Sequence, residues 1–511
     1  MLTRLLPPVA LAVLFGACSG IQPPGSAPAP TTTVATTPSV APAPSPKVAL
    51  RASIDSLVND PRFHNAHWGI LIVDPDAGDT LYSHNADKLF LPASNMKIIT
   101  ATTALAQLGP DFHFRTTFAA HGRIRNGVLH GDLIVVGRGD PSVSDHMATD
   151  AMLPLLAVAD SLAAHGIRRI TGHIVQAGDA FPDANLGFGW EWDDLNESYA
   201  SGVDELMFNE GFATVTVRGG TRPGTGAKVT VGPISAYPAV RNRVRTVQPT
   251  GDGPAPAVTI AYDTLSDAVV VAGTVATGDS TTTEVVYHDP AVAYLNALAT
   301  ALRARGITLP PRVVAAKIEL DSAAHVDTVF TLLSPPLRTI LPALLKPSQN
   351  QIAEILLKTL GLEKTGIGSA DSGVRVVDSQ LLAWGAAGDG FVIHDGSGLS
   401  RHDYLSPQTI VRALISIQRD PAFQDFYDAL PIAGVDGTIA TRMRDTPAAN
   451  NVRAKTGFVD RARSLSGYVT TADGVPLVFS FLCNNWTTSV HDVERVQDEI
   501  AAQLASTVLH P

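Results

Sequence analysis

The stretch PASNMKIITATTAL, Pro92 to Leu105, decides how the rest of the chain is read. It opens with proline and small polar residues, then runs on as a helix-forming pattern that Gly109 stops. Ser94 and Lys97 stand three apart at that opening, so on a helix their side chains leave one face. A serine hydroxyl is almost fully protonated at neutral pH and needs a base within hydrogen-bond reach to become a nucleophile. The start of a helix also favours negative charge developing beside it. Of the nine lysines in the chain, only Lys97 has a serine three positions before it. A Ser-x-x-Lys alone is more often structural than catalytic, so its companions decide.

Two companions are present. SQN, Ser348 to Asn350, follows Pro347 and opens a helix, which puts a hydroxyl and an amide at a loop-to-helix junction. A second Ser-x-Asn, Ser83 to Asn85, ends a strand ahead of Ser94. Lys-Thr-Gly occurs twice, in LGLEKTGIGS around Lys364 and in VRAKTGFVDR around Lys455. Lys364 falls at the tail of a helix, where Lys and Gly serve as C-terminal punctuation. Lys455 precedes a closing hairpin and is expected on a strand edge, where a peptide can add as a further strand. The copy expected to carry chemistry is therefore Lys455-Thr456-Gly457. Ser-x-x-Lys, Ser-x-Asn and Lys-Thr-Gly together are the set used by penicillin-binding proteins and β-lactamases.

The 511 residues allow two or three domains, and 45% hydrophobic with 17% charged residues is a globular composition. A net charge of −11 without a basic stripe excludes a nucleic-acid partner. No segment after the first residues has the run of about 20 apolar residues that a membrane span needs. MLTRLLPPVALAVLFGACSG reads as a signal peptide (1–18), and FGAC makes Cys18 a candidate lipidation site, with Phe15 where Leu is usual. Residues 19–47, rich in Pro, Ala and Thr, read as an extended tether. The only other cysteine, Cys483, lies in an apolar run and is read as a buried small side chain. The Arg138-Gly139-Asp140 triplet is common by chance and is not read as an adhesion motif.

Beyond the tether the pattern gives a helix, then HWGILIVDPDAGDTLYSHN as strand, turn and strand, then the Ser94 helix, read as amphipathic. β-rich, Gly-rich segments follow, with helices at DAMLPLLAVADSLAAHG and DPAVAYLNALATALRARG. Helical patterns dominate again from about Val326, and SLSGYVTTADGVPLVFSFL closes the chain's strands as a hairpin turning at Asp473-Gly474. The expected fold is α/β: one domain formed by 48–114 and 322–511, interrupted by a β-rich insertion at 115–321.

PASNMKIITATTAL, GDLIVVGRGDPS, SQNQIAEILLKTLG, HDGSGLSRHDYLSP, LPIAGVDGT and VRAKTGFVDRARSLSGYV resemble the class C low-molecular-mass penicillin-binding proteins. These are the D-alanyl-D-alanine carboxypeptidase/endopeptidases of peptidase family S13. The resemblance covers nearly everything after Val48, and the long spacing between Ser94 and Ser348 is typical of it. It implies a serine β-lactamase/DD-peptidase-like fold and an acyl-enzyme formed on peptidoglycan stem peptides, with β-lactams as inhibitors. Ser94 would be the nucleophile and Lys97 its base, made partly neutral by burial and by the charge of Lys455. Ser348 would relay a proton to the leaving amine, and Asn350 would orient the peptide. Lys455 and Thr456 would face the terminal carboxylate, with Gly457 letting the substrate backbone approach. The backbone N–H groups of Ser94 and Phe458 would form the oxyanion hole.

Asp194, in FGWEWDDLNESYASG with Trp190 and Trp192 as neighbours, is the candidate partner for a diaminopimelate amine. Asp395, Ser397 and Arg401 read as loop-holders, and His394 and His402 as lacking a metal-ligand cluster. No cofactor or metal is implied. The expected location is the periplasm, with membrane attachment only through Cys18. SQNQIAE and SRHDYLSP depart from the family's commoner SxNLxAE and SRxNxxSP, and Phe458 replaces a hydroxyl residue. The alternatives are a β-lactamase or esterase on the same scaffold, or a non-catalytic cell-wall-binding lipoprotein.

Overall fold

The computed structural model describes residues 45–510, apart from 235–236, 249–254, 264–267, 316 and 319–325. Cys18 and residues 19–44 lie outside the described residues. Helix Pro46–Val58 begins just inside the expected tether, with Pro46 at a helix start where its missing N–H costs nothing.

An antiparallel five-stranded sheet forms the frame, in the order Arg453–Val459, Ala462–Thr470, Pro476–Asn484, His67–Asp74, Asp79–His84. Alternation along its strands sorts side chains to two faces. Trp68, Ile70 and Ile72 join Leu465, Phe479 and Phe481 beneath the first and last helices, Pro46–Val58 and Val490–Ser506. Leu71, Tyr468, Val478 and Leu482 point the other way, into the larger helical core. The result is three layers, helix, sheet and helix.

Helix Met96–Leu108 lies in that larger core, against helices Asn350–Thr365 and Pro407–Ile417. Every residue from Met96 to Leu105 is buried, so it is a central helix rather than the expected amphipathic one. Alanines and threonines make this possible, because small side chains let neighbours approach on all sides.

The inserted segment holds a sheet in the order Val326–Leu333, Arg115–Arg125, Val128–Val136, with Arg169–Ile170 and Ile174–Gln176 parallel to the last. Helices Met152–Ala164 and Pro290–Ala304 cover it. Two three-stranded sheets follow, closing on a core of valines that includes Val215, Val217, Val244, Val269 and Val271. The expected boundary at 322 and the helical reading from Val326 both need correction here. Val326–Leu333 is a β-branched run that pairs antiparallel with Arg115–Arg125, so it completes the inserted sheet.

Smaller readings resolve as well. Asp140 of the Arg-Gly-Asp triplet is buried and accepts from the Ser142 N–H at 2.9 Å, out of reach of a partner protein. Cys483 is fully buried, and burial pushes its thiol up. No helix among the described residues is long and apolar enough to cross a membrane.

Candidate active site

Pro92 to Asn95 turn tightly before the central helix starts. Ala93 is left-handed (φ 47°) and Ala93–Asn95 form a 3-10 turn, which hands directly into the helix at Met96. Backbone strain of this kind persists only where the surroundings over-determine it. Here Asn95 Nδ2 donates to Lys455 O at 2.8 Å and Ser464 Oγ donates to Pro92 O at 2.7 Å, tying the turn to the edge strand. A Cβ on Gly457 would sit 2.6 Å from Pro92 O and 2.9 Å from Ser94 N. The glycine of the second Lys-Thr-Gly is thus needed for the strand to meet the turn, a different reason from the substrate approach expected of it.

Lys97 is fully buried, and its Nζ reaches Ser94 Oγ at 2.8 Å, Asn350 Oδ1 at 2.6 Å and Ser397 O at 2.9 Å. Burial pulls its ammonium down to about 7, against the carboxylates of Asp395 and Glu354, which pull it up. The repulsion between the ammonium groups of Lys97 and Lys455 is mutual. Burial and then the charge of Lys97 hold Lys455 well below the usual ammonium range.

Lys455, also fully buried, donates to Ser348 Oγ at 2.8 Å from the edge strand of the sheet. Ser348 is left-handed (φ 69°), which turns its hydroxyl toward Lys455 just before helix Asn350–Thr365 begins. Thr456 Oγ1 donates to Thr438 Oγ1 at 2.7 Å, so the Gly-rich LPIAGVDGT approach packs directly behind the motif. The first Lys-Thr-Gly is elsewhere. Lys364 is exposed in the last turn of its helix, which ends at left-handed Gly366 (φ 81°). The second Ser-x-Asn is also elsewhere, lining a separate cavity with Asn85 bonded to Trp68 O.

Sequence reading passed over Glu354, four residues after Asn350 on the same helix face, a spacing that could have flagged it. Its buried carboxylate accepts from Gly396 N at 3.0 Å and Ser397 N at 2.8 Å, fixing the loop whose carbonyl holds Lys97. Burial and the charge of Asp395 push Glu354 up to about 8. Asp395 accepts from the N–H groups of Ser397, Gly398 and Ser400, the loop-holding role expected of it, and from Trp190 Nε1 at 3.0 Å.

A cleft of about 710 Å³ opens over these residues, lined by Ser94, Ser348, Asn350, Phe458, Asp194, Tyr199 and Arg401 among others. Asp194 accepts from Tyr199 OH at 2.6 Å on its wall. Trp192 is not a packing neighbour of that wall: it is 83% exposed and lines a separate cavity with Leu195 and Tyr287. Phe458 is half-exposed at the cleft mouth, with the Arg463 guanidinium 5.5 Å from its ring centre.

The arrangement is a serine against a neutralisable lysine, a second lysine–serine pair, and a strand edge beside them, which can supply a nucleophile and a proton acceptor for acyl transfer. Residues 50–507 match the model of the D-Ala-D-Ala carboxypeptidase 3 (S13) family. The chain belongs to that family. A D-alanyl-D-alanine carboxypeptidase of Actinomadura sp. (strain R39) is 33% identical over 474 residues, spanning 90% of this chain and 85% of that protein. The D-alanyl-D-alanine carboxypeptidase DacB of Haemophilus influenzae is 27% identical over 442 residues, 82% of this chain and 86% of that one. The crystal structure of penicillin binding protein 4 (dacB) from Haemophilus influenzae superposes with a TM-score of 0.74 at 25% identity, covering 89% of this chain and 99% of that one. This carboxypeptidase is a serine hydrolase of the penicillin-binding class, on an α/β fold that it shares with penicillin binding protein 4.

Proposed function

We propose that Ser94 is the acylated nucleophile of this carboxypeptidase and Lys97 its base. The observation that carries the assignment is the 2.8 Å contact between Lys97 Nζ and Ser94 Oγ in a site where Lys97 is fully buried. Ser94 Oγ attacks the carbonyl of the penultimate D-alanine as Lys97 takes its proton. The terminal D-alanine leaves as the amine, protonated through Ser348, whose hydroxyl is held by Lys455. Lys455 and Thr456 receive the terminal carboxylate, and that negative charge draws a proton back onto Lys455. Asn350 Oδ1 accepts from Lys97 while its Nδ2 donates to Tyr199 O at 2.8 Å, which fixes the amide plane beside the substrate. The N–H groups of Ser94 and Phe458 stabilise the oxyanion. Water then releases the acyl group.

A β-lactam acylates the same serine and clears slowly, a reading supported by the three motifs and by the Haemophilus relative, whose name records penicillin binding. Asp194 receives the amine of a diaminopimelate side chain, supported by its place on the cleft wall. One set of measurements tests these roles. Acylation by a fluorescent penicillin and hydrolysis of a diaminopimelate-containing peptide are followed across roughly pH 5 to 9. Both rates rise with pH through about 7, as Lys97 loses its proton and becomes a base. Asp194→Asn raises the peptide KM and leaves penicillin acylation unchanged, because penicillin lacks the amine. A flat profile removes Lys97 from the role of base, and equal losses on both substrates remove Asp194 from specificity.

The enzyme acts outside the cytoplasmic membrane, in the periplasm, on peptidoglycan. It is held by a lipid on Cys18, as the signal-like first residues and FGAC suggest. Metabolic labelling with radioactive palmitate marks the wild type and not Cys18→Ser; an unlabelled wild type in the soluble fraction contradicts the anchor.

A further inference from the structure

The two glutamines that flank Asn350 have no part in the chemistry above, yet both are buried with their amide groups in use. Gln349 Nε2 donates to Glu210 Oε2 at 2.9 Å and to Gln351 Oε1 at 2.7 Å, while its Oε1 caps the helix by accepting from Ile352 N at 3.0 Å. Gln351 Nε2 donates to Ser198 O at 3.1 Å and Ser201 O at 3.2 Å. Between them Asn350 donates to Tyr199 O. Three consecutive side chains at the start of one helix are therefore held by the inserted segment. A leucine at 351, the family's commoner residue, could make neither of these carbonyl bonds.

Glu210 is the charged end of this chain. It is 4% exposed, and its carboxylate also accepts from His146 Nδ1 at 2.8 Å. Asn209, Glu210 and Gly211 are all left-handed, at φ 47°, 57° and 86°. For the first two that conformation costs on the order of 1–3 kcal/mol each, and it persists only where other contacts enforce it. Asn209 supplies them, accepting from Asp145 N at 3.0 Å and donating to Phe212 O at 2.9 Å. The turn is thereby fixed so that Glu210 points inward at Gln349.

We propose that Glu210 is a positioning residue for the carboxypeptidase reaction, acting through Gln349 to hold Ser348 and Asn350 in register with Lys455 and Lys97. The departure at Gln351 belongs with Gln349, since Gln351 Oε1 accepts from Gln349 Nε2 at 2.7 Å. Ser348 itself is left-handed and lines the cleft, so its placement depends on what anchors the next residue. The latch supplies that anchor from the insertion.

The inference rests on the roles given to Ser348 and Asn350, and its test separates the two. Glu210→Ala removes the acceptor. Gln349→Ser keeps a helix-capping hydroxyl but no longer reaches Glu210. Each slows acylation of Ser94 by a fluorescent penicillin about tenfold, the size of one hydrogen bond to a charged group, while the dissociation constant for initial penicillin binding stays unchanged. The double variant is no slower than the worse single one, because both break one contact. Glu210→Gln, which keeps an oxygen to accept from Gln349, recovers most of the rate. Amide hydrogen exchange of a peptide covering 344–352 speeds up in both single variants. Losses that multiply in the double variant, a loss carried only by the dissociation constant, or unchanged exchange over 344–352 overturns the latch. A wild type that forms no acyl adduct overturns the catalytic roles instead, and the exchange result still decides the latch.

Discussion

Ser94→Ala should abolish both penicillin labelling and D-alanine release, with kcat falling on the order of a millionfold, as when a catalytic serine is deleted in other hydrolases. The size follows from what is lost. Among the described residues no other hydroxyl lies on Lys97, whose remaining bonds go to Asn350 Oδ1 and Ser397 O. Ser348 is near but bonded to Lys455, so it cannot replace the nucleophile. The variant should fold, because Ser94 is only partly buried and the turn is fixed by Asn95 and Ser464 rather than by Ser94. The check is stoichiometric labelling with a fluorescent penicillin beside chromatography of released D-alanine. An adduct formed at full stoichiometry by the folded variant would falsify Ser94 as the nucleophile.

The sheet frame was legible because its strands are short apolar runs bounded by turn residues, as in HWGILIVD and PLVFSFLCN. Trp68, Ile70 and Ile72 share one face with Leu71 on the other, a pattern set by local geometry alone. The closing hairpin was legible for the same reason, with left-handed Gly474 (φ 88°) at the turn where Asp-Gly announced it. Val326–Leu333 was not, because its partner strand, Arg115–Arg125, lies far earlier in the chain, and its burial follows no clean alternation. The three motifs gave the members of the site but not its electrostatics. Lys97 lies in a field made by Glu354 and Asp395, which a linear reading does not bring together. Glu210 was equally hidden, since its bond to Gln349 depends on a left-handed turn in a segment 139 residues away. Short-range periodicity is written in the sequence; the contacts that tune a buried charge are decided only when distant segments meet.

The two copies of Lys-Thr-Gly give the sharpest contrast between sequence and place. Lys455→Met, which keeps volume in a fully buried site, should lower kcat/KM for a D-Ala-D-Ala peptide by roughly a hundred- to a thousandfold. Losing one partner of a buried charge pair typically costs about 2–5 kcal/mol, and here the pair is completed by the substrate's own carboxylate. The same change frees Ser348 Oγ from its 2.8 Å contact, so proton delivery to the leaving amine suffers along with binding. Both KM and kcat should therefore move. Lys364→Met changes an exposed residue in the last turn of a helix that Gly366 already terminates. Its effect on stability should stay within about 0.5 kcal/mol, and its kinetics should match the wild type. Steady-state kinetics and thermal melting of the two variants decide between the copies. Equal losses in two folded proteins would mean that position in the fold does not separate them. What the fold provides is burial beside Ser348 and an open strand edge, and only Lys455 has both.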